Sequence, residues 1–160
     1  MLIKPATLAD APAIEACAHE AYSPYIADIG RAPAPMIADF AGQIGAGIVF
    51  VAQVNQRVVG FIVFFAREDH MFLENVAVCD AARGLGVGKA LIGFCEEQAR
   101  RLGLGGVGLY TNAKMTRNLT LYPRLGYVET DRRSEDGFDR VYFRKTLDQG
   151  RAPPASRTGC

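Results

Sequence analysis

The sequence lacks the clustered histidines and cysteines that hold a structural metal. Its 160 residues include two histidines and four cysteines, with no CxxC pair, which excludes the usual spacings of a zinc site. Cys17, Cys79 and Cys95 have apolar neighbours and are interpreted as small buried residues, whereas Cys160 ends a polar segment as a free thiol. This use of cysteine predicts no metal site and a reducing, cytoplasmic location.

The sequence also lacks an excess of charge and any long apolar run. There are 18 basic and 17 acidic residues, for a formal charge of +1, so nothing global attracts nucleic acid or an anionic membrane. No apolar stretch is long enough to span a bilayer, and the opening MLIKPATLAD lacks the apolar run of a signal peptide. We expect neither nucleic acid nor a membrane as a partner.

Apolar residues make up 49% of the chain, which is enough for one domain with a buried core. The β-branched and aromatic runs GIVFVAQV and RVVGFIVFFA, joined at NQ, predict a hairpin. HMFLENVAV predicts the next strand. Alternation along a strand would place four of its side chains on one face: Phe72, Glu74, Val76 and Val78.

A helix through Leu102 is predicted next, followed by a strand, a second helix and two strands around SEDG. Leu102 belongs to its predicted buried stripe, with Leu91, Cys95 and Ala99. The pairs Glu96–Arg100 and Glu97–Arg101 are predicted on its solvent side. The pattern favours a mixed sheet with helices on both faces, as one domain over residues 1–147. Residues 148–160 are predicted to form a flexible tail.

Three glycines, Gly84, Gly86 and Gly88, stand directly before that helix in AARGLGVGKALIGF. Glycine permits positive φ, and the free N–H groups of a helix start attract phosphate. The alternative is that the glycines only make a tight turn. The loop is not a Walker motif, because Arg83 stands where its first glycine is needed and Ala90 where it needs Ser or Thr.

A dinucleotide GxGxxG motif fails as well, because its third glycine would fall on Lys89. A literal GxGxxG occurs at Gly103, Gly105 and Gly108, but it leads from a helix into a strand, the reverse of the required order. We interpret that second match as a helix terminus and a turn.

One pattern does fit the loop. Val78, Arg83, Gly86 and Gly88 match V-x-x-x-x-[QR]-x-x-G-x-[GA], and NLTLYPRLGYVE follows at residues 118–129. In both motifs, and in the order of elements over residues 1–147, the chain resembles the GNAT N-acetyltransferase superfamily. The resemblance implies an α/β (α+β) fold with a mixed, mostly antiparallel sheet of six to seven strands. About four helices would flank it around a central strand–loop–helix unit that binds coenzyme A.

The resemblance also implies which residues hold acetyl-CoA as co-substrate. The strand before the loop would pair with the pantetheine arm through Val76, Ala77 and Val78. The pyrophosphate would be bound by the loop and helix start: Arg83, Gly84, Leu85, Gly86, Val87, Gly88 and Lys89.

Many relatives carry an asparagine seven residues before their tyrosine, where this chain has Met115. Asn118 is the nearest amide and is assigned to contact with coenzyme A, and Asn112 is a second candidate. An asparagine near a helix start is more often a cap.

Two residues carry the implied chemistry. Tyr122 matches the family's tyrosine, which donates a proton or hydrogen bond to the departing thiolate; alternatively it is a core residue spaced with Leu119 and Leu125. Glu74 stands where some relatives carry a base, and His70 precedes it by four residues. Alternatively, Glu74 could form a buried ion pair. A chain of water molecules would then serve as the base.

The predicted function is therefore direct transfer of the acetyl group from acetyl-CoA to a primary amine. The alternative is a non-catalytic module that binds acyl-CoA or a small ligand. The acceptor, a small-molecule or peptide amine, would bind to residues 22–46 and the last hairpin, where Tyr22, Tyr25, Asp28 and Arg31 are candidates. The resemblance also makes a homodimer plausible.

Overall fold

The computed structural model describes residues 1–147, so the predicted tail over 148–160, with Cys160, lies outside the described residues. The described chain contains seven strands: β1 (Leu2–Pro5), β2 (Val49–Val54), β3 (Arg57–Ala66), β4 (Met71–Val78), β5 (Gly106–Asn112), β6 (Val128–Glu135) and β7 (Phe138–Thr146). The α-helices are α1 (Ala11–Tyr22), α2 (Ile26–Ile29), α3 (Phe40–Gly45), α4 (Val87–Arg101) and α5 (Thr116–Arg124). Single 3-10 turns occur at Leu8–Asp10, Ser23–Tyr25, Ala34–Met36 and Asp80–Ala82.

The strands form one sheet in the order β1-β2-β3-β4-β5-β7-β6. Every neighbouring pair is antiparallel except β4 and β5. Two tight turns set the hairpin registers, and both have positive φ at their central residues: Asn55 and Gln56 in the first, Asp136 and Gly137 in the second. The predicted mixed, mostly antiparallel sheet of six to seven strands is confirmed.

The helices cover both faces of the sheet, as predicted. One core contains Leu91, Ile92 and Cys95 from α4, with α5 packed against the same side through Tyr122. The opposite core contains Ile14 and Cys17 from α1 and Phe40 from α3. The two cores are separated by the sheet, so a site that opens between strands is walled by residues of both layers.

The first helix after the glycine loop differs from its predicted pattern. Leu91, Cys95 and Ala99 are buried, but Leu102 is 63% exposed because the helix ends one residue earlier. The Glu96–Arg100 pair was also wrong. Glu96 is buried and accepts hydrogen bonds from the Tyr127 hydroxyl (2.9 Å) and Lys145 Nζ (3.0 Å). The reason is that the segment after α5, together with β7, covers this flank of α4.

Glu97, one residue further on, stays at the surface and pairs with Arg101 and Arg100, each at 3.6 Å. This part of the predicted solvent side is confirmed.

The predicted burial of three cysteines is confirmed for two of them. Cys17 and Cys95 are buried, Cys79 is half-buried, and none forms a disulfide. Burial raises the pKa of all three thiols, which keeps them protonated and weakly nucleophilic near neutral pH.

Within residues 1–147 no helix combines the length and apolarity needed to cross a bilayer. The same residues bring no three His, Cys, Asp or Glu side chains together as metal ligands would be.

Candidate active site

The site begins where β4 and β5 separate. The two parallel strands pair only at Met71–Val107 and Phe72–Gly108, and then they diverge. Cys79 N–H bonds to the Val59 carbonyl (2.9 Å), so in the alternating ladder the backbone polar groups of Val76 and Val78 point away from β3. They face the V-shaped opening, and this edge can accept another extended chain.

The glycine loop stands at the wide end of the opening. Gly84 and Gly86 have φ of +77° and +80°, and Gly86 is the residue that precedes α4. The N–H groups of Val87, Gly88 and Lys89 open the helix and have no partner within it. The loop therefore presents several backbone donors together with the positive end of a 15-residue helix.

The charged and apolar residues of this loop have distinct positions. Arg83 is an exposed side chain paired with Asp80 at 3.1 Å, and Lys89 and Leu85 are exposed beside it. A groove runs from the loop along β4 to α5, and we call it the loop groove. It is lined by Ala21, Tyr22, Tyr25, Val76, Ala77, Val78, Arg83, Gly84, Gly88, Ile92, Arg117, Asn118, Leu121 and Tyr122.

A β-bulge in β4 changes the predicted alternation of its side chains. Asn75 pairs with Val63 and Leu73 pairs with Phe64, so β4 carries one residue more than its partner, at Glu74. Val76 and Val78 pack on the α4 side of the sheet, whereas Glu74 reaches α3 on the other side. The prediction that Glu74 shares a face with Val76 and Val78 was therefore wrong.

The bulge turns two neighbouring polar side chains toward α1 and α3. Glu74 is half-buried, and its Oε2 accepts a hydrogen bond from Gln43 Nε2 at 2.6 Å. Asn75 is buried, and its Nδ2 donates to the Pro35 carbonyl at 2.9 Å. The Tyr22 hydroxyl donates to Asn75 Oδ1 at 2.7 Å and has the Val76 carbonyl as a second acceptor at 2.9 Å.

These polar groups open into a second cavity of about 130 Å³, which we call the inner cavity. Because the strands diverge, side chains of both sheet faces reach it. Its walls are Tyr22, Pro33, Ala34, Pro35, Leu73, Glu74, Asn75, Val76, Leu109, Tyr110, Thr111, Asn112, Met115, Asn118, Tyr122, Phe138 and Arg140.

The loop groove and the inner cavity meet. Four residues line both: Tyr22, Val76, Asn118 and Tyr122. A molecule that lies in the groove and a molecule that fills the cavity would therefore touch at these residues.

Tyr122 combines the two interpretations offered by its sequence. It is 3% exposed, and its ring packs against Tyr127 and Phe143 with centroids 5.6 and 5.8 Å away. Its hydroxyl has no hydrogen-bond partner among residues 1–147. The hydroxyl oxygen is not completely shielded from solvent. Burial raises the pKa of Tyr122, so the phenol stays protonated at physiological pH and can donate where the two cavities meet.

Asn118, the predicted amide, donates from Nδ2 to Thr111 Oγ1 at 2.9 Å. Met115 is buried beside it, with its sulfur 3.7 Å from the same Thr111 oxygen. Asn112 lines the inner cavity, and its side chain accepts from the Lys114 N–H at 2.9 Å, as a local turn requires. His70 hydrogen-bonds Asp69 at 2.8 Å and lines neither cavity.

The structure places two of the four candidates for the acceptor pocket in a cavity wall and two outside both cavities. Tyr22 lines both cavities and Tyr25 lines only the loop groove, whereas Asp28 and Arg31 line neither. Sequence reasoning missed Asn75 and Arg140. The polar pair Glu74–Asn75 inside an apolar strand was the available signal for a bulge. Arg140 stands among several charged residues of its hairpin, and nothing in the sequence distinguishes it from them.

Solved structures with this fold provide a comparison. A nourseothricin acetyltransferase is 26% identical, with 61% of this chain and 64% of that chain covered and a TM-score of 0.58. The yncA protein of Salmonella typhimurium, solved with acetyl-CoA, is 22% identical, with 97% and 98% covered and a TM-score of 0.71. The PaiA N-acetyltransferase of Thermoplasma acidophilum, solved with coenzyme A, is 14% identical, with 91% and 98% covered and a TM-score of 0.74.

The chain thus spans less than two thirds of the nourseothricin acetyltransferase. A search of curated protein sequences gives no match. The family model described as the acetyltransferase (GNAT) family matches residues 14–127, a stretch that holds the glycine loop, the open edge of β4 and Tyr122. This chain therefore belongs to the GNAT acetyltransferase family.

Proposed function

We propose that the chain transfers the acetyl group of acetyl-CoA directly to a primary amine, without a covalent enzyme intermediate. The observation that carries the proposal is the junction of the two cavities at Tyr22, Val76, Asn118 and Tyr122. A donor in the loop groove and an amine in the inner cavity would meet there, as direct transfer requires. Neighbouring folds that hold acetyl-CoA or coenzyme A support this choice of donor.

The loop groove suits the donor by its chemistry. Backbone N–H groups from Gly84 to Lys89 would bind the pyrophosphate at the start of α4, with Arg83 at the rim adding positive charge. The pantetheine amides would extend the open edge of β4 at Val76 and Val78. This arrangement would bring the thioester to the junction.

Glu74 is the proposed base. Its Oε1 has no hydrogen-bond partner among the described residues, while Oε2 is held by Gln43. The carboxylate takes a proton from the acceptor ammonium, and the neutral amine then forms the C–N bond at the acetyl carbonyl carbon. A backbone N–H on the open edge of β4 stabilises the charge that develops on the carbonyl oxygen.

Tyr122 is the proposed acid. As the C–S bond breaks, its hydroxyl donates a proton to the departing sulfur, which leaves as the free thiol of coenzyme A. The raised pKa of Tyr122 ensures that this proton is present. The Tyr122 phenolate then takes the second proton from the former amine nitrogen, and Glu74 releases its proton to solvent. The products are the acetylated amine, coenzyme A and one proton.

The test combines binding with turnover. Calorimetry with acetyl-CoA should show saturable binding, and an amine panel should release coenzyme A thiol. Absence of acetyl-CoA binding would contradict the proposal. Binding with no thiol release from any amine would favour the non-catalytic module.

A further inference from the structure

The inner cavity carries one negative and one positive side chain. Among the described residues that line it, only Glu74 and Arg140 bear a full charge at neutral pH. They come from different strands, β4 and β7, and the remaining walls are mostly apolar or aromatic. A cavity of this kind matches a ligand that carries both charges itself.

Arg140 is placed to bind an anion. Its side chain is 13% exposed and stacks over the rings of Tyr110 (4.4 Å) and Phe138 (5.7 Å), which also line the cavity. Only Nη1 has ion-pair partners, Glu135 at 3.3 Å and Asp136 at 3.5 Å. The other guanidinium donors have no partner among residues 1–147, and a planar fork of this type suits a carboxylate.

Glu74 provides the complementary end. Gln43 fixes one carboxylate oxygen at 2.6 Å, and the other oxygen is left for a ligand. The ammonium of an acceptor would therefore lie at Glu74, on the strand that also carries Val76 of the junction. The carboxylate attached to the same carbon would reach Arg140.

We propose that the acceptor is a small zwitterion, an α-amino acid whose ammonium binds Glu74 and whose carboxylate binds Arg140. The proposal rests on the proposed acetyltransferase function and names its substrate class. The cavity volume of about 130 Å³ is small beside the roughly 300–1,000 Å³ of sites for drug-sized ligands. A polyamine fits less well, because Glu74 is the one carboxylate among the described residues of the lining and a second ammonium would have no such partner there.

The experiment compares each of a set of α-amino acids with its carboxamide, which keeps the amine and side chain and removes the negative charge. Thiol release gives kcat/KM for each pair, and calorimetry on the coenzyme A complex gives the affinity of each pair separately. The amines of an amino acid and its carboxamide differ in basicity. The ratio of kcat/KM for the acid to kcat/KM for the carboxamide in Arg140→Gln therefore serves as the baseline. We expect the preference for the acid to fall by roughly 10- to 100-fold in that variant.

Arg31→Gln is the matched control. Arg31 also lies over the Phe138 ring, at 3.8 Å, but it is exposed and lines neither cavity. This variant should keep the preference for the acid. Unchanged affinity for acetyl-CoA shows that Arg140→Gln is folded.

The outcomes separate the two proposals. Amides, polyamines or peptide N-termini acetylated as well as amino acids would overturn the zwitterion and leave the acetyltransferase intact. Amino acids that bind through Arg140 without turnover would uphold the zwitterion as the ligand of the inner cavity and overturn the acetyltransferase. If no amino acid binds or reacts, the zwitterion proposal is wrong.

Discussion

The loop groove and the inner cavity share four residues, yet they are constructed differently. In the groove, the groups proposed to bind the donor are mainly backbone amides of one continuous stretch, from Val76 to Lys89, while residues of α1, α4 and α5 complete the walls. The cavity collects side chains from strands β4, β5 and β7, from α1 and α5, and from the loop around Pro35. Backbone recognition leaves a local sequence pattern, because glycines and spacing are required in fixed order. Side-chain recognition across distant segments leaves none.

The largest expected effect lies at the junction of these two regions. Tyr122→Phe removes the proposed proton donor, so kcat should fall by roughly 10²-fold or more, with the affinity for acetyl-CoA nearly unchanged. Steady-state kinetics and calorimetry measure the two quantities. Tyr127→Phe is the matched control, because its ring contacts Tyr122 but its hydroxyl bonds to Glu96. Equal losses of kcat in the two variants would remove Tyr122 from the mechanism.

The pH dependence sharpens this assignment. Burial raises the pKa of Tyr122 above the usual value of about 10 for tyrosine. A group with a raised pKa keeps its proton as pH rises, so turnover should show no alkaline decline from this residue up to about pH 10. A decline centred near pH 8 that disappears in Tyr122→Phe would contradict the assignment.

Glu74→Gln should slow the reaction of the amine in the inner cavity and leave acetyl-CoA binding in the loop groove nearly unchanged. The amide keeps the size of the side chain but cannot take a proton, so kcat/KM for the amine should fall roughly 10²-fold, at the lower end of base catalysis. Acetyl-CoA affinity, measured by calorimetry, should stay within a factor of two or so. A variant with full activity would indicate that water serves as the base.

Gly86→Ala should weaken acetyl-CoA binding in the loop groove and leave the inner cavity unchanged. Gly86 has φ of +80°, where a side chain costs about 1–2 kcal/mol, and relief of that strain would displace the loop N–H groups. Acetyl-CoA should bind roughly tenfold more weakly, as calorimetry can show. Gly93→Ala is the control within the same helix, since nothing lies within 4 Å of an added methyl group there. An unchanged acetyl-CoA affinity in Gly86→Ala would contradict the binding of the pyrophosphate by the backbone N–H groups of the loop.

The smallest effect should fall outside both regions. Glu96→Gln leaves Lys145 without its carboxylate partner, so the free energy of unfolding should drop by about 1–3 kcal/mol. The neighbouring exposed Glu97→Gln should change it by about 0.5 kcal/mol or less. Urea denaturation of the two variants measures the difference. Equal destabilisation would mean that the buried contacts of Glu96 have little energetic importance.

The fold was predictable because its signals are local. The hairpin at Asn55–Gln56, the strand–loop–helix around Gly86 and the helix before Gly126 each follow from a short pattern, and their order limits the topology. The inner cavity was only partly predictable. Glu74 was identified but placed on the wrong face, because a period of two cannot register an inserted residue. Arg140 acquires its position through pairing with β5, which a single sequence does not display.

The bulge in β4 also determines which single-residue deletion the protein should tolerate. Removing codon 74 would restore an uninterrupted ladder against β3, with Leu73 still opposite Phe64 and Asn75 still opposite Val63, so the shortened chain should still fold. Point substitutions nearby leave the extra residue in place. A scan of single-residue deletions through β4 should therefore find that loss of a residue at the bulge spares the fold and removes only the proposed base.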